Sequence, residues 1–307
     1  MTGDRRLGTR SLVHTFSHAA LSPDSDLAVS ALLIARIEYP TLDVRPYLNQ
    51  LDVLGREACL RLGAAAVARK TNTPPRFDPE RHALVLALNH FLFDELRFSG
   101  NSGRYQDPRN SFLNEVLERR TGIPISLGVV YMEVARRAGL EIEGVNFPGH
   151  FLLRCPANAT LGYSEDLIID PFHGGAILSE DACRVLLRGH DGDDSALDRH
   201  LAAHATKRQI LARMLVNLKR LYVQMNSFPQ AHDATELLLA IEPTATHELR
   251  DRGLIAYHLN DFSSALRDLQ TYLALTPQQP QTDEDREDHA RIVEHVKTLR
   301  RRVATFN

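Results

Sequence analysis

Thr121-Gly-Ile-Pro-Ile-Ser126-Leu-Gly-Val-Val-Tyr131-Met-Glu-Val-Ala-Arg-Arg-Ala-Gly139 is the stretch on which the fold turns. Gly122 and Pro124 interrupt what precedes them, and a helix is expected from near Ser126. Leu127, Val130, Tyr131, Val134 and Ala138 then recur at helical spacing and form one buried stripe. Gly139 stands where a helix-ending glycine belongs. Upstream, Asn110 to Arg120 reads as a short helix with Phe112, Val116 and Leu117 on one side. Downstream, Glu141 to Phe147 and His150 to Arg154 read as strands joined at Pro148-Gly149. Leu167-Ile168-Ile169 is a third short strand, ending at Asp170-Pro171. A helix followed by antiparallel strands is α+β order.

Further out, helices dominate. Leu27 to Ala35 follows the capping pair Ser25-Asp26 and stops at Pro40. A second helix is expected from about Val44 to Arg69, with Leu48, Leu51, Leu54 and Leu60 on helical spacing. Thr71 to Pro79 reads as a loop, His82 to Leu96 as a third helix, and Ser99 to Pro108 as another loop. Arg188 to Asp198 is rich in Gly and Asp and reads as a linker, after which every segment is helical. The expected division is an N-terminal helical part packed on the core (1–98), the α+β core (99–187) and a helical tail (188–307).

The tail repeats itself. Asn226-Ser-Phe228-Pro-Gln-Ala231 aligns with Asn260-Asp-Phe262-Ser-Ser-Ala265, and Leu239-Ala240-Ile241-Glu-Pro243 with Leu273-Ala274-Leu275-Thr-Pro277, always at an offset of 34 residues (260 − 226). That is the tetratricopeptide period, with the aromatic, the small residue and the closing proline of a helix-turn-helix unit. The last helix, about Asp283 to Val303, starts with acids and ends with arginines, so it suits a cap on the array.

Composition narrows the function classes. A length of 307 residues suits two compact domains. A formal net charge of -3 gives no electrostatic footprint of a nucleic-acid binder, and Arg300-Arg301-Arg302 fits a helix C-terminus instead. Cys59, Cys155 and Cys183 are odd in number, far apart and in no CxxC pair, so neither a disulfide framework nor a cysteine zinc site is expected. The apolar runs are too short for a membrane span, and the N-terminus lacks the apolar region of a secretory signal. A cytoplasmic protein without a cofactor is expected.

Three side chains suggest chemistry. Ser126 lies at a helix start, where the dipole favours a nucleophile, His150 opens a strand, and Asp170 closes the next. A hydroxyl, a base and a carboxylate that fixes the base's tautomer form a catalytic set. Each also has a plain structural role: Ser126 as N-cap, His150 on a loop carbonyl, Asp170 as a turn residue before proline. His173 would complete two imidazoles and one carboxylate with His150 and Asp170, but this spacing matches no metal motif and no metal is expected. The HxxxH pairs His14/His18 and His200/His204 lack the HExxH glutamate and read as exposed helix positions. Arg119, Arg120, Arg136 and Arg137 read as solvated helix faces.

Taken together, Asn110 to Gly139, Gly144-Val-Asn-Phe-Pro-Gly-His150-Phe-Leu-Leu-Arg154 and Ile169-Asp170-Pro-Phe-His-Gly-Gly175 resemble the bacterial Sir-B-type family. The resemblance covers about residues 10 to 280. It implies a papain/transglutaminase-like core followed by tetratricopeptide-like repeats, and a related segment is found in a eukaryotic F-box protein. By position it implies that His150 and Asp170 match the catalytic His and Asp of transglutaminase-like enzymes. The nucleophile departs from that pattern. Aligned without a gap from Gly139, Pro124 falls where the cysteine belongs; with a shift of two, Ser126 does. The reading is therefore a transglutaminase-like pseudoenzyme or interaction protein whose tail takes a protein or peptide partner, with no nucleic acid or membrane partner. The alternative is a hydrolase or acyl transferase using Ser126, His150 and Asp170.

Overall fold

A computed structural model describes residues 3–68, 79–157, 165–189, 197–276 and 283–306. Most of the expected loop after Thr71, the middle of the expected linker and Pro277 lie outside the described residues. In chain order the first elements are α1 (Gly3–Leu21), α2 (Leu27–Ile34), α3 (Arg45–Ala68), α4 (Pro79–Asn89) and a π-helical turn, His90–Glu95. Then come β1 (Ser99–Gly100), α5 (Leu113–Arg119), β2 (Thr121–Gly122) and α6 (Pro124–Arg137). Strands β3 (Glu143–Val145), β4 (Leu152–Cys155), β5 (Leu167–Asp170) and β6 (Ala176–Leu178) follow, then α7 (Glu180–Arg188) and α8 (Leu197–Ala202). The remainder is α9 (Lys207–Gln224), α10 (Phe228–Ile241), α11 (Thr246–His258), α12 (Phe262–Leu275) and α13 (Asp283–Phe306).

The chain forms two compact units. The core unit holds residues 24–35 and 41–214; the tail unit holds 1–23, 36–40 and 215–307. This differs from the expected division at 98 and 187. Helix α1 groups with the tail, where it packs on α10 and Thr9 donates to Asp233 at 2.9 Å. Residues 188–214 group with the core, where Ala205 N donates to Gly144 O at 2.8 Å.

The core unit is built round α6, whose residues from Pro124 to Ala135 are all buried. An apolar stripe predicts one buried face; here α2, α3 and α5 cover one side of α6 and β3 and β4 another. Burying side chains such as Val130 and Val134 stabilises the fold by roughly 1.5–3 kcal/mol each. Glu133 is buried on this helix because it is paired: it accepts from Ala28 N at the start of α2 (3.2 Å) and from Arg137. Arg137 also donates to Asp52 on α3 at 2.7 Å, so it is an interior clamp and not the solvated residue expected. Arg136 is the exposed one of the two, its side chain 54% accessible.

The sheet order is β3-β4-β5-β6, antiparallel throughout, with Gly144 opposite Leu153, Leu153 opposite Ile169 and Ile169 opposite Ile177. Strand β6 and helix α7 were not expected. Phe151 enters a slot between two glycines: a Cβ on Gly128 of α6 would lie 2.8 Å from its ring, and one on Gly144 of β3 would lie 2.7 Å away. Both glycines are needed for the sheet to approach the helix this closely. A second pair, β1 with β2, is parallel and ties the loop after Gly100 to the start of α6.

In the tail the period of 34 is exact in the helix boundaries. Helix α9 ends at Gln224 and α11 at His258; α10 spans Phe228–Ile241 and α12 spans Phe262–Leu275. Asn226 and Asn260 take the left-handed conformation, with φ of 57° and 59°. Asn tolerates this region better than other non-glycine residues, which lets each helix stop and turn. Ala231 and Ala265 are fully buried, and a Cβ on Gly253 would meet Leu269 at 2.8 Å, so small residues set the spacing between paired helices. Phe228 stacks on His258 with centroids 4.3 Å apart.

Candidate functional site

Asp170 is the hub of the core unit's polar centre. Its side chain is 2% exposed and its carboxylate accepts from four donors. Oδ1 bonds His150 Nε2 at 3.0 Å and the backbone N–H groups of Phe172 (2.9 Å) and His173 (3.3 Å). Oδ2 bonds His173 Nδ1 at 2.8 Å. The carboxylate thus closes its own turn, as Asp before proline commonly does, while gripping two imidazoles. Burial pushes its pKa up, but the hydrogen bonds and charges of His150 and His173 outweigh this and hold it below the ordinary carboxylate value.

The sequence brings these residues together through turn chemistry. His150 follows the left-handed Gly149 (φ 66°), and its N–H donates to Phe147 O at 3.1 Å. Its carbonyl accepts from Arg213 at 2.7 Å, and Arg213 also donates to Phe147 O at 3.1 Å. Phe151, seated between Gly128 and Gly144, anchors the next residue. Beyond Asp170, Gly174 and Gly175 are left-handed (φ 67° and 74°), and Gly175 N returns to Asp170 O at 2.9 Å. Gly175 is pinned from below: Asn89 donates to its carbonyl at 2.6 Å and accepts from the buried Tyr131 hydroxyl at 2.9 Å. Asn89 ends α4 where the π-helical turn begins, and such turns recur at functional sites.

Aromatic rings form the rim. Phe172 lies edge-on to His150 (6.3 Å) and to Tyr105 (6.0 Å), and His150 stacks near His173 (6.1 Å). A Cβ on Gly100 would lie 2.6 Å from Phe172, so β1 packs directly against this rim. Tyr105 has its phenol pKa raised by burial, with Arg213 countering.

Ser126 is placed elsewhere. It was expected as an N-cap or nucleophile, but α6 starts two residues earlier, at Pro124, with Ile123 as the capping residue and Ser126 at the third helical position. Its side chain is fully buried. The hydroxyl donates to Asn110 O at 2.5 Å, lies 3.1 Å from Ile123 O and accepts from Ile123 N at 3.1 Å. This is the return half of a capping box. Among the described residues, its hydrogen bonds do not include His150. The structure therefore joins His150 to Asp170 and leaves Ser126 holding the helix start. Nor do the thiols supply a nucleophile at that start: Cys59 is exposed on α3, Cys155 is buried on β4, and Cys183 is buried on α7. Burial and the charges of Glu180 and Asp170 push the Cys183 thiol up to about 11.

With Nε2 of His150 engaged by Asp170, Nδ1 is the nitrogen left to take a proton from a reacting group. Sequence reasoning grouped His173 with His150 and Asp170 only as a metal set that it did not expect, and missed Asn89, Phe172, Tyr105 and Arg213 altogether. The Gly174-Gly175 pair was the available signal, since paired glycines after Asp-Pro mark a tight return. Asn89 lies 81 residues before Asp170 in the chain and carried no such signal.

Comparison with known proteins agrees with this architecture. A sequence model described as transglutaminase-like superfamily matches residues 45–216, and a tetratricopeptide repeat model matches residues 218–296. A UPF0162 protein of Xylella fastidiosa is 40% identical over 258 residues, 82% of this chain and 84% of that protein. The UPF0162 protein YchA of Escherichia coli is 29% identical over 267 residues, covering 86% and 90% of the two chains. F-box only protein 21 of Homo sapiens is 35% identical over 179 residues, 56% of this chain but 28% of that protein. No solved structure matches. The match over more than half the chain, and the long relative at 40% identity, place this protein in the transglutaminase-like superfamily, among the UPF0162 proteins with a tetratricopeptide tail.

Proposed function

We propose that this protein is a transglutaminase-like pseudoenzyme that works through protein interaction, its tail holding a peptide segment of a partner. The observation that carries the reading is the placement of Ser126: the one hydroxyl the sequence offers as nucleophile is fully buried and bonded to Asn110 and Ile123. Serine attack would require that hydroxyl to leave both backbone partners and reach His150. Support on the binding side comes from a depression of about 400 Å³ between α9 and α11, lined by Lys219, Val223, Phe228, Leu254 and His258 among others. Repeat arrays of this kind use the concave surface between successive helices for extended partners. Assignment to the narrower Sir-B-type group belongs to the same reading, as does a cytoplasmic location. Among the described residues, no helix is long and apolar enough to cross a membrane.

The test is labelling of the purified protein with a serine-directed fluorophosphonate, beside Ser126→Ala and His150→Ala. The reading expects no label on Ser126 in folded protein. Stoichiometric label that disappears in His150→Ala would replace it with the acyl-transfer reading, in which His150 is base and Asp170 its orienter.

A further inference from the structure

We propose that His150, Asp170 and His173 bind one divalent first-row metal ion of the zinc type. One donor atom from each residue lies within 4.8 Å of the other two. Two imidazoles and one carboxylate are a recurrent set for zinc and for non-haem ferrous iron, and they leave coordination positions for water or a ligand. Tetrahedral donors about 2.1 Å from a zinc ion stand about 3.4 Å from each other, so the carboxylate and the two rings part by about half an ångström from their hydrogen-bonded positions when an ion enters. His150 Nε2 and His173 Nδ1 stand 3.0 and 2.8 Å from the oxygens of Asp170.

The surroundings are those of a prepared site. Backbone N–H groups of Phe172 and His173 orient the carboxylate, the outer-shell support that metal ligands ordinarily have. Exposure is graded: the Asp170 side chain is 2% exposed, His150 11% and His173 62%. Two donors are thus fixed in the protein wall, and the third reaches in from solvent, which provides the entry path. Uptake needs lone pairs at His150 Nε2 and His173 Nδ1, so in each neutral ring the proton resides on the other nitrogen. That is the opposite tautomer of His150 from the one a proton-transferring dyad uses. The proposal concerns the core unit alone and does not depend on the tail holding a partner.

The experiment is calorimetric titration of the chelator-stripped full chain with zinc chloride, paired with cobalt absorbance. The expected result is one ion per chain at this site, with cobalt bands of nitrogen and oxygen ligation and no thiolate charge-transfer band. His173→Ala, whose side chain is largely solvent-exposed, weakens binding by about tenfold or more. His204→Ala, at another exposed histidine of the core unit, leaves it unchanged. Folding of each variant is checked by circular dichroism. The proposal is overturned if folded wild type binds no zinc, if His173→Ala binds as tightly as wild type, or if a thiolate band assigns the ion to cysteine.

Discussion

Replacing Ser126 by alanine separates a structural hydroxyl from a chemical one. The change removes the oxygen that accepts from Ile123 N and donates to Asn110 O, both in a fully buried setting. What remains for Ile123 N is Asn110 O at 3.4 Å, a long bond. Each net hydrogen bond is worth about 1 kcal/mol, and a buried group left without its partner adds about 1–3 kcal/mol. Alanine's better helix propensity returns about 0.5 kcal/mol. The balance is a destabilisation of about 2 kcal/mol. With a urea slope of about 2 kcal/mol/M, the unfolding midpoint of the core falls by about 1 M. Far-UV circular dichroism against urea measures it, with Ser126→Thr as companion: a Cβ on Gly122 would already sit 2.6 Å from the Ser126 oxygen, so an added methyl has little room. A Ser126→Ala midpoint equal to wild type would refute the assignment of this hydroxyl to the helix start.

Three other perturbations test other parts of the structure. In native protein at pH 8 an alkylating reagent should modify Cys59 first, with Cys155 and Cys183 reacting only after unfolding; mass spectrometry of digested protein locates the adducts, and early modification of Cys183 would contradict its burial. Because Asp170 has a folded pKa below its unfolded value, it stabilises the fold above the ordinary carboxylate range, and this contribution is lost as pH falls from about 4 through the lowered value. Asp170→Asn should therefore flatten the acid limb of the stability curve, and an unchanged limb would count against the two-imidazole grip. In the tail, Arg252 donates to the buried Asp268 at 2.7 and 3.0 Å and to Glu236 at 2.9 Å. Arg252→Met leaves that carboxylate only the exposed Arg267 at 3.7 Å and should cost about 2–4 kcal/mol in urea unfolding of the tail, with a loss under about 0.5 kcal/mol telling against the pairing.

Much of the fold was legible because it is written in local patterns. The offset of 34 residues was legible as a repeat, and α10 and α12 keep it to the residue, with Asn226 and Asn260 at the turns and Phe228 and Phe262 at the starts. The stripe from Leu127 to Ala138 located α6, although Pro124 began it earlier than Ser126 suggested, because proline is well suited to a first helical position. Strand β6 was not seen: Ala176-Ile-Leu178 is three residues long and acquires its identity from pairing with β5. The site was legible in part. His150 and Asp170 were found from order and resemblance. The spacing of His173 matches no metal motif, but spacing says little where a turn returns the chain on itself. The burial of Ser126 was hidden because its partner, Asn110 O, is backbone contributed by a 3-10 turn, Pro108–Asn110, 16 residues away.

The glycine slot that receives Phe151 ties three distant positions into one volume. Residues 128, 144 and 151 share a space that admits one large ring and two hydrogens. None of the three is then free to vary alone: an alanine at 128 or 144 demands a smaller side chain at 151. The neighbour of that side chain is His150, so trimming the ring to admit the methyl would slacken the backbone that aims the imidazole at Asp170. Sequence change at a helix and a strand outside the polar centre is thereby transmitted to it as a question of room, and the three sites should drift together or stay as they are.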